Sequence, residues 1–321
     1  MSTATREPRG ARVPASGSTG RSRGVTLGTA RRRRQGLVAW LFALPFVTVF
    51  TVFMLLPLLG SFGMSFTDLT IKDIRTPFSV DFAGIDQFTR LFGDETFLRS
   101  MRNTAYFVVV GIPLTMAAGL ALAVALNTGI TKFRSVFRVG FYTPVVTSIV
   151  AVAVVWRFIL QNEGLLNTVL GWVGIDGPDW LNDPTWAMPS LIALAVWRNM
   201  GTLMIIFLAG LQAIPADVYE AAEVDGAGPW RRFTRMTLPL MRPTLLLGAV
   251  LLSVGFLQFF EEPYVMTGGG PLDSTLSISY FTYNQFGYGN YAYASAAAYV
   301  LFAVIAALSA VQFRLLRSKD S

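Results

Sequence analysis

The 321-residue chain is 53% hydrophobic and only 14% charged, with a net charge of +7 and a mean hydropathy of +0.51. Soluble domains are nearer a quarter charged, so this balance points to a membrane protein. Cysteine and histidine are absent and none of the three lysines follows a glycine; disulfides, thiolate chemistry, the commonest metal ligand and a GxxxxGK[ST] phosphate loop are thereby excluded.

Residues 1–35 hold nine arginines and no apolar run, ending in Arg31, Arg32, Arg33 and Arg34. Such a stretch cannot bury enough surface to fold, and a disordered basic tail is expected. Thirty-three uncharged residues follow, Gln35 to Thr67. The run is too long for the apolar core of a signal peptide and lacks a small-residue cleavage site, so it reads as an uncleaved first span. A spanning helix needs about 20 mostly apolar residues. Six segments qualify, near 37–60, 104–126, 139–160, 190–213, 244–262 and 294–313. The expected fold class is therefore all-α, a polytopic membrane protein with six transmembrane helices spanning 36–317 and a short tail at 318–321.

Pro113 in the second span and Pro144 in the third should bend their helices. Ala117, Ala121 and Ala125 give the second span a small-residue face suited to close helix packing. Between the first two spans, Phe82–Phe92 carries apolar residues at 85, 88, 91 and 92, the spacing of a short amphipathic surface helix. The loop 263–293 holds Thr267–Pro271, TGGGP, whose glycines suit a tight turn, and several interfacial tyrosines.

Loop charge sets the orientation. Nineteen Lys and Arg fall on one face: the N-terminal arginines, Lys132, Arg134, Arg138, Arg231, Arg232, Arg235, Arg242, Arg314, Arg317 and Lys319. Five fall on the other, Lys72, Arg75, Arg90, Arg99 and Arg102. Both termini are thus expected in the cytoplasm. The basic charge belongs to these loops and carries no nucleic-acid signal.

The most informative stretch is the cytoplasmic loop 215–243, which contains YEAAEVDGAGPWRRFTRMTLPLMRP from Tyr219 to Pro243. Pro215 and Asp217 suit a helix start, so Ala216–Val224 is expected to be a short helix closed by a left-handed cap at Gly226. A second short helix over Pro229–Met236 should stop before Pro239. The first half of this elbow is acidic and the second basic. Glu220 is expected to pair across it with Arg231, Arg232 or Arg235, and spacing does not choose among them.

Glu220-Ala221-Ala222, three residues, Gly226, nine residues, then Met236-Thr237-Leu238-Pro239 resembles the EAA loop of bacterial ABC-importer permeases. Methionine stands where that family more often has isoleucine, which keeps the position apolar. SFTD (Ser65–Asp68), FAGIDQFTRLF, LIALAVWRNMG (Leu191–Gly201), FLAGLQAIP (Phe207–Pro215) and the TGGGP turn are similar to the carbohydrate-type branch of these permeases. The resemblance runs over about 37–317. It implies a MetI-like helical fold in a bacterial plasma membrane and a second, homologous permease subunit. It also implies two cytoplasmic ATP-binding subunits carrying ATP-Mg, and an extracytoplasmic solute-binding protein. Glu220, Ala221, Ala222, Asp225, Gly226, Leu238 and Pro239 would couple to the ATPase. This chain itself would bind no cofactor.

Polar residues inside spans are costly and mark candidate solute contacts. Counted from Pro189, Arg198 lies about 14 Å deep at 1.5 Å per residue, next to Asn199; it either lines the path or bonds free carbonyls or a neighbouring carboxylate. Glu261 and Glu262 end the fifth span at its outer boundary, as anchors or as a solute mouth with Gln258 one turn deeper. Arg157 beside Trp156 reads as an interfacial pair. Donors, acceptors and aromatic faces suit a hydroxylated solute, and the resemblance implies carbohydrate. A self-contained secondary transporter or channel is the alternative, but its coupling usually needs midplane carboxylates, and these spans have no Asp or Glu apart from the edge pair. With no His, no Cys and no carboxylate constellation, no catalytic residue and no metal site are expected.

Overall fold

Apolar helices joined by short polar turns make up almost all of the structure, a computed structural model that describes residues 29–76, 80–128 and 133–317. The chain divides into two units, Met1–Pro57 and Leu58–Ser321. The first contains α1 (Thr29–Phe50) and a π-helical turn, Thr51–Leu55, that leads into α2 (Leu56–Met64). Residues 29–35, expected as disordered tail, are therefore already helical. Arginine is a good helix former and extends the register of the apolar helix behind it. Residues 1–28 of that tail, Lys132 and the tail 318–321 lie outside the described residues.

In the second unit, α3 (Asp86–Gly93) and α4 (Glu95–Thr128) are followed by α5 (Arg134–Val146), α6 (Ile149–Ile159) and α7 (Leu165–Trp172). Then come α8 (Pro184–Gln212), α9 (Ala216–Val224), α10 (Pro229–Arg232), a π turn Phe233–Thr237 and α11 (Leu238–Leu240). The chain closes with α12 (Arg242–Leu257), α13 (Glu261–Met266), α14 (Ile278–Gly287) and α15 (Tyr291–Arg317). Among the described residues four helices are long and apolar enough to cross a membrane: Ala39–Met64, Glu95–Thr128, Pro184–Gln212 and Tyr291–Leu315. Two further spans are bent pairs, Arg134–Val146 with Ile149–Ile159 at 99° and Pro229–Leu240 with Arg242–Leu257 at 65°.

The two internal prolines act differently. α4 runs through Pro113 without interruption, whereas the third span breaks at Thr147 and Ser148, three residues past Pro144. The fifth span ends at Leu257, earlier than expected, with Gln258 as its C-cap.

The core centres on the pairing of α4 with α8. α8 starts cleanly because Asp183 caps it, accepting from the Thr185 amide at 2.7 Å, with Pro184 in the first turn. α4 turns a row of small residues inward, Gly111, Thr115, Gly119 and Ala123, four apart and all buried; Gly119 lets α8 approach, and Gly111 makes room for Phe256 of α12. A Cβ at Gly119 would lie 2.6 Å from Leu203 Cβ and 3.2 Å from the Met200 carbonyl oxygen. The expected packing face, Ala117, Ala121 and Ala125, is exposed instead. A second cluster joins α3, α4, α14 and α15 through Leu91, Phe97, Phe281 and Tyr293. α3 thus buries Leu91 in that cluster while Phe82, Ile85 and Phe92 stay exposed.

Candidate functional site

Two regions carry the sequence-predicted residues, and α12 connects them. At its start lies the elbow. α9 spans Ala216–Val224, as its sequence predicts. Asp225 caps it, Gly226 takes φ +73°, the Ala227 amide donates to the Ala222 carbonyl at 2.9 Å, and the Gly226 amide donates to Glu223 at 3.0 Å. This is a Schellman closure, and it needs glycine because a Cβ is disfavoured at that φ.

The second arm of the elbow is longer than expected. α10, the π turn and α11 run in succession to Leu240, through Pro239. Proline lacks the amide that would bond the preceding turn, and the widened π turn just before it accommodates the defect. Two contacts join the arms. The Tyr219 hydroxyl meets Thr237 Oγ1 at 3.1 Å, and Arg232 pairs with Glu223 at 3.3 Å. The acid in the cross-elbow pair is therefore Glu223 and not Glu220. In the last turn of α9 Glu223 lies beside the capped end, whereas Glu220, one turn earlier, is exposed with no hydrogen bond or ion pair among the described residues. Ala222 packs inward at 1% exposure, while Ala221, Asp225 and Gly226 are exposed and Leu238 and Pro239 half-buried. Val224 and Trp230 stand out at 88% and 75% exposure. Tyr219 and Glu223 escaped the sequence reading because their partners are set by three-dimensional contact.

At the far end of α12 the predicted path residues separate. Gln258 is exposed, and the helix ends there. Glu261 and Glu262 open α13 and do not end the span, so Gln258 and Glu262 share no helix face. Glu261 is exposed but Glu262 is 7% exposed, no surface anchor. α13 packs against α6 and against α8, the helix that carries Arg198. Arg198 is the fifteenth residue of the 29-residue α8, its midpoint; it is half-buried, and its Nε has no partner. Asn199 donates to the Ala195 carbonyl of its own helix at 2.8 Å. Arg157 is exposed, reaching the Val265 carbonyl at 3.4 Å beside a polar cavity of about 330 Å³ that includes Gln161, Asn162 and Asn182.

Between α4 and α8 runs an apolar groove of about 670 Å³, floored by Ala117, Ala118 and Ala121 and walled by Tyr106 and Trp197. The alanine face that does not pack thus opens a channel-like surface. Among the described residues no cluster of acids forms a metal-binding group.

An all-helical polytopic chain with intact and bent spans, a polar mid-bundle arginine and a projecting elbow has the architecture of a transport permease. The family described as binding-protein-dependent transport system inner membrane component matches residues 24–319, and the chain belongs to it. It is a multi-pass inner-membrane permease of a binding-protein-dependent ABC importer, a transport subunit and not an enzyme. The lactose transport system permease protein LacF of Rhizobium radiobacter is 34% identical over 301 residues, covering 92% of this chain and 99% of the relative. The trehalose/maltose permease MalF of Thermococcus litoralis is 32% identical over 282 residues, covering 88% and 94%. Among solved structures, a chain of a bacterial ABC transporter that imports the acidic polysaccharide alginate superposes with TM-score 0.75 at 27% identity, covering 90% and 98%.

Proposed function

We propose that this permease passes a saccharide or related polyhydroxylated solute and is driven by a separate ATPase that grips the elbow. The relatives named for lactose and for trehalose and maltose, and the alginate importer, support the solute class. The observation that carries the coupling reading is the bare face of α9. Glu220 and Ala221 are exposed and unengaged, on a short helix whose end is fixed by the Gly226 closure. Small Ala221 admits close approach, Ala222 packs inward and fixes the helix against the fold, and Asp225, Leu238 and Pro239 complete the loop.

The assembly is this chain with a second, homologous permease, two ATP-binding subunits holding ATP-Mg, and a solute-binding protein on the opposite face. Basic loop charge supports cytoplasmic termini and elbow. The tail 1–35 and residues 318–321 then lie in the cytoplasm, flanking the permease domain 36–317 with its coupling loop 215–243. Closure of the ATPases moves the elbow, α12 carries the movement to Gln258, Glu261 and Glu262, and the packing of α13 against α8 changes as access alternates.

The test is co-purification from native membranes in mild detergent. An ATPase and a second permease should accompany the full chain. Glu220→Lys should release the ATPase with the melting midpoint of the chain unchanged, because Glu220 holds nothing within the fold. An ATPase that stays bound to this variant, or labelling of Ala221→Cys from the cell exterior, would overturn the reading.

A further inference from the structure

Above the apolar groove, at the other end of α4 and α8 from the elbow, lies a second cavity of about 450 Å³. The first turns of α4 supply Arg99, Arg102 and Asn103, the start of α8 supplies Thr185, and the loop before α14 supplies Leu272 and Ser274. Tyr106 and Pro189 line both this cavity and the groove, so the two are continuous. In the orientation proposed above it is the outer mouth of the groove.

Its chemistry is one-sided. Arg99 and Arg102 are exposed, and no carboxylate lines the cavity. Of the acids nearby in sequence, Asp183 is engaged in capping α8, and Glu95 and Asp273 are not among the lining residues. Arg102 makes no hydrogen bond or ion pair among the described residues. Arg99 donates to the Leu272 carbonyl at 2.9 Å, which holds the guanidinium against the wall and leaves it further N–H donors. The Ser274 hydroxyl is buried with no partner. The wall is built: Asn103 donates to the Asp273 and Leu276 carbonyls at 2.7 and 3.0 Å, fixing the loop that presents Ser274. A buried hydroxyl needs a hydrogen-bond partner, and a polar group entering the cavity, solute or water, supplies one here.

We infer that this mouth receives the anionic group, a carboxylate or sulfonate, of an acidic saccharide, with Arg99 and Arg102 as its charge partners and Ser274 as an added donor. Asn103 is a positioning residue. The inference rests on the importer reading and names the solute class of that path. A carboxylate side chain of a docking protein would meet the same arginines. Continuity with the groove between the spans favours a solute, because a docked side chain has no use for a passage below it.

The experiment uses the full chain in nanodiscs and two probes that differ only at C6, methyl β-D-glucuronide and methyl β-D-glucopyranoside, followed by saturation-transfer NMR. The charged probe should bind about tenfold more tightly at low salt, and the preference should shrink as salt rises. Arg102→Gln, which breaks no bond in the fold, should weaken the preference. Arg99→Gln with Arg102→Gln should abolish it, bringing the charged probe's affinity down to that of the neutral one. Equal binding of the two probes by the unaltered chain overturns the inference, as does a preference that survives in the double variant. Loss of binding-protein attachment with the probe preference intact also overturns it, in favour of docking. The ATPase retained by the same preparations separates the two readings. Its presence alongside equal probe binding sinks the anionic class alone, whereas its absence from the unaltered chain sinks the coupling reading.

Discussion

The elbow, which leads into α12, and the loop 267–277, which follows α13, are held in contrasting ways. The elbow has two cross-links between its arms, one of them an exposed ion pair, and its most protruding side chains touch water. The loop is bonded to the helices around it. Asn103 holds two of its carbonyls, the Thr104 hydroxyl accepts from the Ile278 amide at 3.1 Å, and Ser277 donates to the Phe259 carbonyl at 2.8 Å. Thr267 and Thr275 meet at 2.8 Å within it. One region is preorganised by the chain itself. The other is held by few bonds and leaves its outermost side chains exposed.

Three substitutions sharpen this contrast. The largest effect belongs to the bonded loop. Asn103→Ala leaves the Asp273 and Leu276 carbonyls without their donor, and each unsatisfied group costs about 1–3 kcal/mol. Thermal unfolding in detergent should fall by several degrees, and proteolysis should begin within 267–277. Gly226→Ala comes next. It forces a side chain into the left-handed region at φ +73°, at about 1–2 kcal/mol; ATPase retention should drop more than the melting midpoint, since the closure of α9 loosens while the spans do not. Glu223→Gln is the smallest. An exposed pair contributes about 0–1 kcal/mol, so the melting curve should hardly move. A large loss of stability from Glu223→Gln, or none from Asn103→Ala, would erase the distinction.

Hydropathy and loop charge made the six spans legible, and the EAA spacing located the elbow down to the left-handed Gly226. The rest depended on information that periodicity does not hold. On α4 the series Gly111, Thr115, Gly119, Ala123 and the series Ala117, Ala121, Ala125 have the same spacing; the positions of Leu203 and Met200 on α8 and of Phe256 on α12 select the first. A proline says that a helix is weakened, yet Pro113 sits in an unbroken helix and Pro144 precedes a 99° break. Glu220 and Glu223 are equally acidic, and only the turn geometry brings Glu223 to Arg232. Glu261 and Glu262 look alike in sequence, but a new helix starts at them and turns one outward and the other into the bundle. The Tyr219 contact and the cavity beside Arg99 and Arg102 join residues far apart in the chain, with no local signature.

The bend at Met241 has a mechanical corollary. α12 has 16 residues, about 24 Å at 1.5 Å each, so a 10° swing about Met241 displaces its far tip by about 4 Å. That exceeds the tolerance of any hydrogen bond. A modest rotation at Met241 is thereby enlarged at Gln258 and beyond.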